Sequence, residues 1–170
     1  MRVLYNPRYP TRIPMTIATR HAKSALIFAA IVALSMVQAV GQATSIPPTR
    51  IMNPKDLVKL LQTSGREKPV MIQVGSHVLF AQAHIPGSEY IGTASSESGA
   101  QQLRKRVESL PRTTFIVLYC GCCPWSHCPN VKPADDALRA MGFTNLKVLY
   151  ISDNFGANWV DKGYPVAKGD

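Results

Sequence analysis

Outside one nine-residue stretch, Cys120 to Cys128, this 170-residue chain has no cysteine. A structural zinc finger of ordinary spacing is therefore excluded, because no second cluster exists to complete it. The chain also lacks an apolar run of the ~20 residues that a membrane helix requires. Its uncharged apolar run from Ala25 to Val37 holds only 13 residues, so no stable membrane span is expected in the mature chain. No acidic residue occurs in the first 43 positions, no cysteine closely follows the apolar run, and no Arg-Arg pair precedes it. The last two absences argue against a lipoprotein anchor and against twin-arginine export.

What is present at the N-terminus is a secretory pattern. Arg2, Arg8, Arg12, Arg20 and Lys23 lead into the apolar run, and Gly41-Gln42-Ala43 offers small residues for cleavage. Residues 1–43 read as a signal peptide, and the mature protein is expected to be periplasmic or extracellular. That segment holds five of the nineteen basic residues and none of the ten acidic ones, so the net charge falls from +9 to +4 without it. The apparent basicity is targeting charge, and no nucleic-acid partner is expected. Arg104-Lys105-Arg106 reads as a solvated helix face.

Residues 44–49 form an extended leader with Pro47 and Pro48 and no packing signal. Asn53-Pro54 then opens a helix that presents Leu57, Leu60 and Leu61 and stops at Gly65. Val70 to Val74 reads as a central strand, Tyr90-Ile91 as a short one, and Glu97 to Leu110 as a helix closed by Pro111. Phe115 to Tyr119 is an apolar, β-branched strand. Ala134, Ala137, Leu138 and Met141 recur at helical spacing, with Asp135 and Asp136 in the first turns and Gly142 at the end. Leu146 to Ile151 is a further strand, and Phe155 to Trp159 begins a last short helix. The alternation of helices and strands predicts an α/β domain with a mostly parallel sheet covered on both faces. The mature part contains no internal repeat and no low-complexity segment.

The order strand, cysteine-bearing loop, helix points to thiol chemistry. Ligands of open α/β sheets bind outside the carboxyl ends of the strands. A thiol there that faces the first N–H groups of a helix ionises more readily. Cys120, at the end of the strand, is the candidate reactive cysteine. In an oxidising compartment the four thiols must pair, bind a metal or be kept reduced by a partner.

Several features together resemble a rhodanese domain: the helix-strand opening from Pro54 to Val74, the turn Ala83-His84-Ile85-Pro86-Gly87-Ser88, Tyr119-Cys120, the helix end Gly142-Phe143, and the tail Trp159-Val160-Asp161-Lys162-Gly163-Tyr164-Pro165-Val166. The resemblance spans residues 50–167 and implies a rhodanese-like single domain, with about five parallel strands and helices on both faces. It also implies a sulfurtransferase whose Cys120 takes sulfur from a small donor as a persulfide and passes it to a thiol, sulfite or cyanide acceptor. Where such domains carry Asp and Arg, this chain has Gln73 and Gly75; where they carry paired glycines, it has Ser152 to Gly156. Its loop is longer than usual and has no Lys or Arg between Gly121 and Val131.

Cys122, Cys123 and Cys128 stand open to three roles. One of them resolves a persulfide or disulfide on Cys120; or Cys120, Cys122, Cys123, His127 and Cys128 supply ligands for copper or zinc in a non-enzymatic module; or a bridge such as Cys122 to Cys128 pins the loop. No cofactor is favoured, and a reductant protein is an expected partner of the first role. His127 is a candidate for charge or a proton, and Trp125 for a cover over the site. Cys120-x2-Cys123 also permits thioredoxin-like exchange, although the cluster lies too late in the chain for that fold. His84 reads as a residue that positions backbone, and Trp159 and Tyr164 as packing.

Overall fold

In a computed structural model, residues 46–65 and 67–169 are described; the signal-peptide expectation for residues 1–43 lies outside them. Five strands form one sheet, all parallel: β1 (Ile51–Met52), β2 (Val70–Gln73), β3 (Glu89–Tyr90), β4 (Ile116–Tyr119) and β5 (Leu146–Leu149), in the spatial order β1-β5-β4-β2-β3. The helices are α1 (Pro54–Gln62), α2 (His77–Gln82), α3 (Glu97–Val107), α4 (Val131–Ala140) and α5 (Phe155–Asn158). Among the described residues, no helix is long and apolar enough to cross a membrane.

Strand β4 lies in the middle and is buried along its whole length. Its side chains alternate between two cores, as the pleat requires. Ile116, Leu118 and Cys120 enter one core with Leu103 and Val107 of α3 and with Val131, Ala134 and Leu138 of α4. Val117 and Tyr119 enter the other with Leu57 of α1 and with Phe155 and Trp159. Burial on both faces is why this strand reads as a continuous apolar run.

The turn and the tail that carried the resemblance meet in space. His84 N–H donates to Ala167 O at 3.0 Å, Ala167 N–H returns to His84 O at 2.9 Å, and the His84 ring stacks on Phe80 with 3.9 Å between centroids. The Tyr119 hydroxyl accepts from the Ile85 N–H at 3.3 Å and shares a 2.7 Å hydrogen bond with Ser88. A motif from each side of β4 is thus tied to that strand or to the other motif. Trp159 donates its indole N–H to Pro165 O at 2.8 Å within its core.

Several expectations need correction. The α3 helix stops at Val107 rather than Leu110, because residues 108–110 turn away and Leu110 N–H bonds Val107 O. Helix α2 is absent from the sequence reading, since of its apolar residues only Phe80 is buried and Val78 stays 65% exposed, which leaves no helical period. Arg106 belongs to no purely solvated face: its guanidinium forms a paired contact with Glu89 of β3. The leader does pack. Ile46 is buried in the first core, and Pro48–Arg50 forms a 3-10 turn.

Asp135 is likewise not a helix-dipole residue. Its carboxylate is fully buried, with Arg50 Nη1 at 3.2 Å from one oxygen and Arg139 Nε at 3.2 Å from the other. The Arg50 contact is an ion pair by distance without hydrogen-bond alignment, and that oxygen has no hydrogen-bond partner among the described residues. A buried charge that loses a partner is costly. Arg50→Ala is therefore expected to lower the unfolding free energy by roughly 2–4 kcal/mol, with Arg139 limiting the loss. Urea denaturation checks this, and an unchanged midpoint would show that Arg139 alone suffices.

Candidate active site

The chain leaves β4 toward β5 on one side and leaves β2 toward β3 on the other, so the direction of winding reverses between the carboxyl ends of β2 and β4. That reversal opens the crevice in which α/β sheets bind ligands. Gly75 follows β2 and Cys120 follows β4, and the two meet there. A Cβ added at Gly75 would stand 2.8 Å from Cys120 Sγ, so the missing side chain is the space the sulfur occupies. The position is fixed by its neighbours. Gly75 N–H donates to the Gln73 side-chain oxygen at 3.2 Å, and the Thr93 hydroxyl donates to Gly75 O at 3.2 Å.

Cys120 is only 3% exposed. The Asn130 side-chain N–H lies 3.7 Å from its sulfur, and Asn130 is held in that sense because its oxygen accepts from the Ser95 N–H at 3.1 Å. Cys122 Sγ lies 3.2 Å from Cys120 Sγ and 3.5 Å from Cys123 Sγ, and Cys123 also donates to His127 O at 3.8 Å. All four cysteines are free thiols. Sulfurs of Cys120, Cys122 and Cys123 lie within 4.8 Å of one another, a set able to hold a soft ion.

The amide groups expected to face Cys120 fall on Cys128 instead. Backbone N–H groups of Asn130 and Val131, at the start of α4, favour the Cys128 thiolate. The reason is positional: Cys128 stands three residues before the first residue of α4, whereas Cys120 ends the strand beneath the loop. Those amides are outweighed. Hydrogen bonding to the Cys120 thiol, burial and the repulsion of a charge on Cys120 push the Cys128 thiol well above its ordinary range. Burial, the largest influence, also raises Cys122 and Cys123, and each is further affected by its sulfur neighbours. A first thiolate in the cluster thus discourages a second.

Of the remaining candidates, His127 is exposed and bonds the neighbouring Ser126 hydroxyl through Nδ1 at 2.8 Å, outside the sulfur triplet. Trp125 anchors the loop: its backbone N–H donates to Ser152 O at 3.0 Å, and its ring meets Tyr150 edge-on at 5.1 Å between centroids. Gln73, Gly75 and Asn130 belong to the site without having been read as site residues. Gln73 and Gly75 were visible only as departures from the rhodanese pattern, and Asn130 carried no signal of a site role.

These features define a parallel α/β domain with a thiol cluster at its strand reversal. No protein-family model and no curated protein matches the sequence. Solved structures do resemble it. The rhodanese-like domain of the Alr3790 protein from Anabaena sp. has 19% identity, covering 70% of this chain and 79% of that one, with a TM-score of 0.51. The BH2092 protein from Bacillus halodurans has 16% identity, covering 86% of each chain, with a TM-score of 0.54. Thiosulfate sulfurtransferase from Pseudomonas aeruginosa has 22% identity over 70% of this chain but 19% of its own, with a TM-score of 0.50. The fold of this chain is that of a rhodanese-like domain.

Two predictions follow from the geometry. Gly75→Ala places a methyl group against the Cys120 sulfur and is expected to cost about 1–3 kcal/mol of stability; an unchanged denaturation midpoint would mean that the sulfur moves freely. Cys128 is held protonated in the fold, while an unfolded chain releases that proton near its ordinary value of 9.0. The unfolded state then binds fewer protons, so this group's contribution is complete below about pH 9 and is lost as the pH rises further. Stability against unfolding, measured from pH 8 to 10, should fall less steeply in Cys128→Ser than in the native chain.

Proposed function

We propose that this chain is a sulfurtransferase that carries sulfane sulfur as a persulfide on Cys120 and passes it to a thiol, sulfite or cyanide acceptor. The observation that carries the reading is the placement of the Cys120 sulfur: in the crevice at the strand reversal, in the space left by Gly75, with the Asn130 amide directed at it. Thiolate and persulfide both carry negative charge, and a fixed amide donor favours each of them. In the loading step the Cys120 thiolate attacks a sulfane sulfur, a new S–S bond forms, and the donor's remaining group leaves with the electron pair. In the unloading step the acceptor attacks the outer sulfur and Cys120 is released as thiolate. Residues 1–43 direct export in this reading, and a reductant protein outside the cytoplasm keeps the thiols available.

The test is peptide mass spectrometry of reduced protein after exposure to thiosulfate or to a persulfide. A gain of about 32 Da that fragmentation places on Cys120, and that is absent from position 120 in Cys120→Ser, is expected of a sulfur carrier. No gain with either donor rejects the activity.

A second reading rests on the sulfur triplet. Cys120, Cys122 and Cys123 present the thiolate chemistry that suits copper(I) or zinc, and the module would then hold the ion without catalysis. Protein purified without chelator should in that case contain about one equivalent of metal, with the gain of sulfur blocked until the metal is stripped.

A further inference from the structure

Resting on the sulfur-carrier reading, we infer that Cys122 is the thiol that meets the donor, that Cys120 is loaded through it, and that the donor is an alkyl persulfide rather than a strongly anionic one. Cys120 is 3% exposed, so its sulfur is covered by the loop. Cys122 is half-buried, stands 3.2 Å away, and lines a cavity of about 390 Å³. That volume lies in the range of small-ligand sites. The cavity sits at the carboxyl ends of β2, β4 and β5, between α2, the start of the loop and α5. Leu79, Ala83, Phe155 and Val160 form its apolar wall, and Gln82 and Asn154 supply neutral amides. No lining residue is charged. A second cavity, of about 370 Å³ beside α1, includes Lys68 and Trp159 but no thiol.

Charge decides the donor. Thiosulfate carries two negative charges and finds no cation in the wall, so entry costs its hydration without return. An alkyl persulfide, R–S–SH, carries at most one charge, and its hydrocarbon group is suited to the apolar wall. The Cys122 thiolate attacks the outer sulfur, the donor S–S bond breaks, and R–S⁻ leaves and takes up the proton that Cys122 gave up. Cys120 then attacks the outer sulfur of the Cys122 persulfide, the bond between that sulfur and Cys122 breaks, and the proton that Cys120 gives up passes to Cys122, which returns to the thiol. Sulfane sulfur is exchanged between thiols in both steps, and no outside oxidant or reductant is consumed.

The experiment treats reduced full-length chain with n-butyl persulfide or thiosulfate, quenches it at short times by alkylation, and locates the added sulfur by peptide mass spectrometry. In Cys120→Ser, sulfur should still appear on Cys122 at the native rate. In Cys122→Ser, loading of Cys120 by butyl persulfide should slow by at least about tenfold. Native-rate loading of Cys120 in Cys122→Ser overturns the relay and leaves the sulfur-carrier reading standing. Native protein that gains no sulfur from either donor overturns both. Leu79→Lys tests the route without touching a thiol, at a position 37% exposed and therefore tolerant of change. It should speed thiosulfate loading about fivefold relative to butyl persulfide, and an unchanged ratio overturns the cavity as the path.

Discussion

The arrangement depends on a strand that is buried on both faces and runs one residue beyond its ladder. Because side chains alternate along β4, the residue after Tyr119 has to enter the same core as Ile116 and Leu118. Cys120 is that residue, and its sulfur is drawn under the loop instead of out toward solvent. Everything that follows in the loop is placed around a sulfur already withdrawn from water. Cys122, two residues on, is the first thiol with a path outward.

The winding of the sheet determines what the sulfur meets. The reversal between β2 and β4 leaves a gap at their carboxyl ends, and side chains of ordinary size at the end of β2 would fill it. Gln73 folds back to accept from the Gly75 N–H, and Gly75 offers no side chain. The positions that give the usual domain its charged groups here provide room and a neutral amide. In the sulfur-carrier reading, substrate selection is thereby handed to the apolar wall formed by α2 and by the chain around α5.

Much of this was legible in the sequence. The central strand, the alternation of helices and strands, and Cys120 as the last residue of a buried run all follow from apolar periodicity and turn residues. Strand β1 and helix α2 were not legible. Two residues of β1 carry no period, and α2 buries only Phe80 among its apolar residues. The surroundings of the sulfur were misjudged for a different reason: sequence gives the order of Cys120, Cys128 and the helix start, but not which thiol the first amides reach. A position three residues before Val131 favours Cys128, and only the depth of the strand end shows that Cys120 lies elsewhere. Asp135 was misread in the same way, since its partner Arg50 is 85 residues distant in sequence.

Asn130 brings one further consequence. Its oxygen is committed to the Ser95 N–H, so the face it turns to Cys120 is the nitrogen. A carboxamide has no proton that titrates in the range where proteins stay folded. Histidine or lysine in that place would lose its polarity as the surroundings became alkaline. Here the dipole aimed at the sulfur keeps its sign whatever the acidity of the medium, and only mechanical loosening of the segment around Ser95 can turn it away.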